Sequence, residues 1–149
     1  KHPLYRALRA SKLIYAALEA TLNAFRRETA LQEIPVLQML SMSAEEIEQR
    51  TKKFAKRLSG KIGKNSNLEC SIIKGNSVIG GGSAPGDQPE TTLLALKHKR
   101  MAAGELERAF RLAKPPVITR ILEDKVLIDL RTVSAGEETK VLEILAKLK

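Results

Sequence analysis

The sequence is poor in aromatic residues: three Phe, two Tyr and no Trp, 3% of 149 residues. A core must therefore be assembled from Leu, Ile, Val and Ala, which a hydrophobic content of 43% permits; the composition is not that of a disordered chain. A single cysteine, Cys70, excludes an internal disulfide and a Cys-rich metal site. It lies in the strand-like run Leu68-Glu69-Cys70-Ser71-Ile72-Ile73, where a small buried hydrophobe is expected. The two histidines, His2 and His98, have no metal-ligand spacing, and no Ser-His-Asp or Cys-His arrangement is evident. Asp124 and Asp129 lack the spacing of a paired acid and base. The longest apolar-rich stretch, Leu13 to Phe25, is too short to span a membrane and contains Glu19 and Asn23. With no signal-peptide pattern, a cytoplasmic protein without membrane or metal is the expectation. These absences argue against a complete enzyme.

Positive charge is abundant. Twenty-six Lys and Arg oppose 17 Asp and Glu, a net charge of +9. Seven of the bases fall between Arg50 and Lys64 with no acid among them: Arg50, Lys52, Lys53, Lys56, Arg57, Lys61 and Lys64. Such a run suits either a phosphate-facing patch or a solvated helix end whose cations complement the macrodipole. Charge alone does not choose between them, or name RNA as the partner.

The chain length fits one domain with a real core. Ser11 is positioned to cap a helix over about Leu13–Arg27, whose apolar residues occupy nearly every side. Ile34-Pro35-Val36 reads as an extended lead-in, because proline disfavours helix in the residue before it. Ser43-Ala44-Glu45-Glu46 is a capping box for a helix burying Ile47, Thr51, Phe54, Ala55 and Leu58, with Ser59-Gly60 as its end. Strands are expected at Leu68–Lys74 and Thr91–Leu96, with a glycine-rich connection, Gly80-Gly81-Gly82, between them. A helix over about Ala103–Leu112 should stop before Pro115-Pro116. A β-hairpin follows, Val117–Leu122 and Lys125–Arg131 turning at Glu123-Asp124, and a second capping box, Ser134 to Glu137, opens a last helix. From Ser43 the order is αββαββα: an α+β fold, mostly antiparallel and four-stranded, with helices on one face and a long N-terminal helix before it.

Three features could carry chemistry. Arg6 and Arg9 stand three apart, one face of a helix, and two planar guanidinium forks suit a doubly charged oxyanion or simply solvent. With no initiator Met before them, the chain reads as a piece of a larger protein cut at the edge of an active site. Arg131 ends a buried-looking strand, where its charge needs a partner; a structural bridge and a carboxylate anchor both fit. Gly80 to Gly82 could approach a ligand closely, but no Gly-Lys-Ser/Thr follows as in a P-loop.

Several segments together carry a resemblance: His2-Pro3-Leu4-Tyr5-Arg6-Ala7-Leu8-Arg9, Ala16-Ala17-Leu18-Glu19-Ala20-Thr21-Leu22, Ile34-Pro35-Val36-Leu37-Gln38-Met39-Leu40, Val78-Ile79-Gly80-Gly81-Gly82-Ser83-Ala84-Pro85-Gly86, and Pro115-Pro116-Val117-Ile118-Thr119-Arg120 with Leu127-Ile128-Asp129-Leu130-Arg131-Thr132-Val133. In this order they resemble the C-terminal part of bacterial selenocysteine synthases, the L-seryl-tRNA(Sec) selenium transferases. The resemblance implies the small domain of a fold-type-I pyridoxal phosphate enzyme, with residues 1–40 ending the large domain and 41–149 forming the small one. It implies seryl-tRNA(Sec) and selenophosphate as substrates, a homo-oligomeric parent, and Arg6 and Arg9 lining the active site to hold the anionic substrate group. Arg131 matches a small-domain arginine that meets a substrate carboxylate. The lysine that binds the cofactor lies upstream of residue 1, so no cofactor-binding residue is expected here. Two alternatives stand beside this: a related pyridoxal phosphate enzyme acting on a small amino acid or amino sugar, and a free-standing basic RNA-binding module.

Overall fold

The computed structural model describes residues 2, 4, 8–63, 66–79 and 88–148. Two compact units divide the chain, Lys1–Ser41 and Met42–Lys149.

In the first unit, helix α1 (Lys12–Arg26) starts where expected: Ser11 Oγ accepts a hydrogen bond from the Ile14 amide at 3.3 Å. Helices α2 (Ala30–Glu33) and α3 (Pro35–Ser41) follow. The extended lead-in expected at Ile34-Pro35-Val36 is thereby corrected. Only Ile34 is extended; Pro35 opens α3, because a first helical position needs no N–H and suits the fixed φ of proline. Along α1, Leu13, Ile14, Tyr15, Leu18, Leu22 and Phe25 are all exposed, and Ala24 alone is buried.

The second unit follows the expected order. Helix α4 (Ala44–Ile62) leads to strands β1 (Leu68–Asn76) and β2 (Glu90–His98), then helix α5 (Ala103–Arg111), strands β3 (Arg120–Leu122) and β4 (Lys125–Asp129), and helix α6 (Glu138–Lys147). The sheet order is β1-β2-β4-β3, every pair antiparallel. Ile47, Phe54 and Leu58 of α4, Leu106 and Phe110 of α5, and Val141, Ile144 and Leu145 of α6 are buried; most of them pack with Leu94, Leu96, Val126 and Ile128 from one sheet face. Alternate residues Leu93, Ala95 and Leu127 form a smaller cluster with Ile73 on the other face. Central strand β2 is thus buried from Thr91 to Leu96.

Helix α4 is set by its capping box: Ser43 Oγ accepts from the Glu46 amide at 3.1 Å, and the Glu46 carboxylate accepts from the Ser43 amide at 2.8 Å. It runs past the expected stop at Ser59-Gly60 to Ile62, ending at Gly63 with φ +75°. One interior glycine costs only about 1 kcal/mol relative to alanine, and Ile62 adds contact with the core. The second capping box forms by half. Ser134 N and Oγ both donate to the Glu137 carboxylate, which they hold below its usual pKa range, but no helical amide reaches the hydroxyl and α6 starts at Glu138.

Candidate functional site

The densest polar arrangement among the described residues lies at one end of the sheet, where β1 and β4 finish and β2 begins. Asp129, the last residue of β4, accepts from Ser77 Oγ at 2.6 Å, Thr91 Oγ1 at 3.0 Å and the Arg131 amide at 3.0 Å. A short 3-10 turn over Leu130–Thr132 then carries Arg131 inward, leaving it 4% exposed. Its Nε donates to Ser77 Oγ at 3.1 Å, Nη1 to the Met42 carbonyl at 2.6 Å, and Nη2 to the Glu90 carbonyl at 2.9 Å. One guanidinium thus ties the first residue of the unit to β2 and to the residue after β1. A buried cation is tolerable here because its donors meet oxygen and a carboxylate stands within the same network.

A second arginine works alongside. Arg50 donates to the Glu138 carboxylate at 2.6 Å and to the Val133 carbonyl at 2.5 Å, and its Nη1 lies 3.7 Å from Met42 Sδ. Arg57 reaches the other oxygen of Glu138 at 3.0 Å. Two of the seven bases of the Arg50–Lys64 run therefore brace α4 against α6. Lys52 pairs with Glu48, whose carboxyl it holds below its usual range by hydrogen bond and charge.

Of the other expected site residues, Arg9 is exposed in the first unit and lines a shallow cavity of about 500 Å³ with His2, Leu4, Leu8, Ala10 and Tyr15. Arg6 and Gly80 to Gly82 lie outside the described residues. The base of the glycine-rich connection is nonetheless held: Ser77 N donates to the Pro89 carbonyl at 2.9 Å and Asn76 Nδ2 to the Gln88 carbonyl at 2.8 Å. Cys70 is half-buried against the main core, and burial pushes its thiol up to about 11, so it is protonated near neutrality. His98 Nδ1 accepts from the Arg100 amide at 3.2 Å. Asp124 sits in the β3–β4 turn. Among the described residues no cluster of His, Cys, Asp and Glu could hold a metal. No described helix is long and apolar enough to cross a membrane.

The sequence signalled Arg131 as a charge at a strand end but not its partners, and left Asp129 without a role. Ser77 and Thr91 carry no local mark; antiparallel pairing alone brings them to Asp129, 52 and 38 residues away in sequence.

Fold and site together define an α+β domain, three helices over an antiparallel four-stranded sheet, whose buried polar groups brace the structure. A family model for L-seryl-tRNA selenium transferase matches residues 1–134. Proteins named L-seryl-tRNA(Sec) selenium transferase are similar throughout: one from Geotalea daltonii is 43% identical over 90% of this chain, one from Aquifex aeolicus 40% over 89%, and one from Geobacter sulfurreducens 39% over 99%. The chain belongs to the L-seryl-tRNA selenium transferase family. It spans 29%, 28% and 32% of the length of those three relatives.

Proposed function

We propose that this chain is the C-terminal part of a longer transferase that converts seryl-tRNA(Sec) to selenocysteinyl-tRNA(Sec) with selenophosphate. The observation that carries the reading is a family match over residues 1–134 combined with coverage of under a third of each relative. In this reading residues 1–40 end the large domain and residues 41–149 are the small domain. The exposed apolar residues of α1 then face the rest of the longer protein or a neighbouring subunit of a cytoplasmic homo-oligomer.

Pyridoxal phosphate supplies the electron sink for bond breaking at the serine α-carbon when bound. It requires an enclosed lysine amine. Among the described residues every lysine is exposed except Lys125, which is half-buried. These residues do not fit the group by themselves, and its lysine and most of its pocket are assigned to the rest of the protein. The role left to this chain is charge. Arg6 and Arg9 present two donor forks to the anionic selenium donor. Arg131 enters as a brace, because a substrate carboxylate would have to displace Met42, Glu90 and Ser77 from its guanidinium.

In the full-length protein, Arg6→Ala and Arg9→Ala are expected to lower turnover of seryl-tRNA(Sec) at least about 100-fold, the scale of losing a charged group from a transition state, while absorbance of the bound cofactor is retained. Wild-type turnover in both variants would remove the anion-binding role. Failure of the wild-type full-length protein to turn over seryl-tRNA(Sec) would remove the reading itself.

A further inference from the structure

Intramolecular pairing leaves part of the basic run of α4 unexplained. Arg50 and Arg57 are engaged by Glu138, and Lys52 by Glu48. Lys53, Lys56 and Lys61 are exposed and have no carboxylate partner among the described residues. Only Lys61 belongs to the last turn, so complementing the helix dipole accounts for one of the three. Lys53 and Lys56 lie opposite the buried face made by Ile47, Thr51, Phe54 and Leu58, about 5 Å apart along the axis at 1.5 Å per residue, whereas Lys61, seven residues after Phe54 and three after Leu58, flanks that face. Ser59, three residues after Lys56, carries this side of the helix on to Lys99. Lys99 lines a shallow cavity of about 390 Å³ with Ser59, Ile62 and Gly63, with Glu69 also at its wall, and donates to the Ser66 carbonyl at 3.1 Å.

We infer that Lys53, Lys56 and Lys99 form a contact surface for the phosphate backbone of a double-helical RNA stem. The inference rests on the reading that tRNA is the substrate, and assigns to this surface a helical arm of that tRNA. The chemistry is selective between forms of RNA. Reading unpaired bases needs exposed aromatic rings for stacking, whereas an A-form stem is held through its phosphates and shape. The Met42–Lys149 unit has no Tyr or Trp, its two Phe residues, Phe54 and Phe110, are 0% exposed, and its one imidazole, His98, is half-buried. The surface therefore offers charge without stacking.

The test compares the full-length protein with the α4-surface variant Lys53→Gln/Lys56→Gln/Lys99→Gln, and with Arg108→Gln/Arg111→Gln/Lys114→Gln as a control of equal charge change. Binding of a tRNA(Sec) transcript is measured against salt concentration, with circular dichroism verifying the fold; the double variant Lys53→Gln/Lys56→Gln substitutes should the triple misfold. The expected result is a log–log salt slope shallower by about 2 to 3 in the α4 variant, because each neutralised phosphate contributes about 0.7 to 0.9 to the slope. The control should keep a slope close to wild type. A paired hairpin should compete better than poly(A), and phosphatidylserine vesicles should not compete. An unchanged slope in the α4 variant overturns the surface while turnover of seryl-tRNA(Sec) leaves the reaction standing. An equal loss in the control, or preference for poly(A) or vesicles, overturns the assignment too. If wild-type protein binds no transcript, surface and substrate fall together.

Discussion

Arg131 illustrates what a buried charge demands of its surroundings. At 4% exposure it donates to two main-chain carbonyls and to a hydroxyl held by Asp129. Each acceptor left without its donor costs about 1–3 kcal/mol. Arg131→Met should therefore lower the free energy of urea unfolding by at least about 3 kcal/mol, on the same scale for several broken hydrogen bonds. Arg131→Lys should recover less than half, because an ammonium on a flexible stem cannot reproduce a planar fork. A fully stable Arg131→Met protein with impaired turnover would instead return this residue to the substrate. Cys70 is the opposite case: the sequence predicts a small buried hydrophobe, and the side chain is half-buried against the main cluster with its thiol pKa raised.

At the scale of elements, periodicity and caps located every α-helix and strand of the second unit, and errors cluster at ends: the last strand, expected to reach Arg131, stops at Asp129, where the 3-10 turn Leu130–Thr132 turns the chain inward. Ser43 and Glu46 specified the start of α4 because both halves of the cap lie within four residues. Its end was misread because Gly60 is only a weak breaker, and the pull of the core on Ile62 is not a local property. The hairpin is shorter than expected, with three residues in β3, and turns through Glu123 at φ 47° and Asp124 at φ 57°. Two successive left-handed residues make the turn that matches strand twist, and side chains there cost roughly 1 kcal/mol each. Glu123→Asn with Asp124→Gly should stabilise the protein by about 1 kcal/mol, raising Tm by several degrees. A lower melting temperature in a thermal scan would show that these side chains support the turn.

For the whole molecule, the distribution of buried apolar residues matters most. Among the described residues, every buried hydrophobic one except Ala24 and Ala30 lies in the Met42–Lys149 unit. Full burial of a Leu, Ile or Phe contributes about 1.5–3 kcal/mol, so that unit carries a core of its own. Residues 42–149 expressed alone should unfold in one cooperative transition by denaturant titration. A broad, non-cooperative loss of signal would mean that the core depends on the rest of the chain. The apolar character of α1 was legible in the sequence as a helix expecting neighbours on several sides. Leu13, Leu18, Leu22 and Phe25 of that helix are exposed and free to meet such neighbours.

Sequence alone determined the order of elements from Ser43, the α+β class, the cap of α4 and the family resemblance, because each is written in neighbouring residues or in their periodicity. Tertiary structure decided which charges are spent inside the fold. Asp129 meets Ser77 and Thr91, Arg131 meets Met42 and Glu90, and Arg50 and Arg57 share Glu138, across separations of 38 to 89 residues. Such partners are set by strand pairing and helix packing, and only once they are subtracted do Lys53 and Lys56 stand out on the outer face of α4.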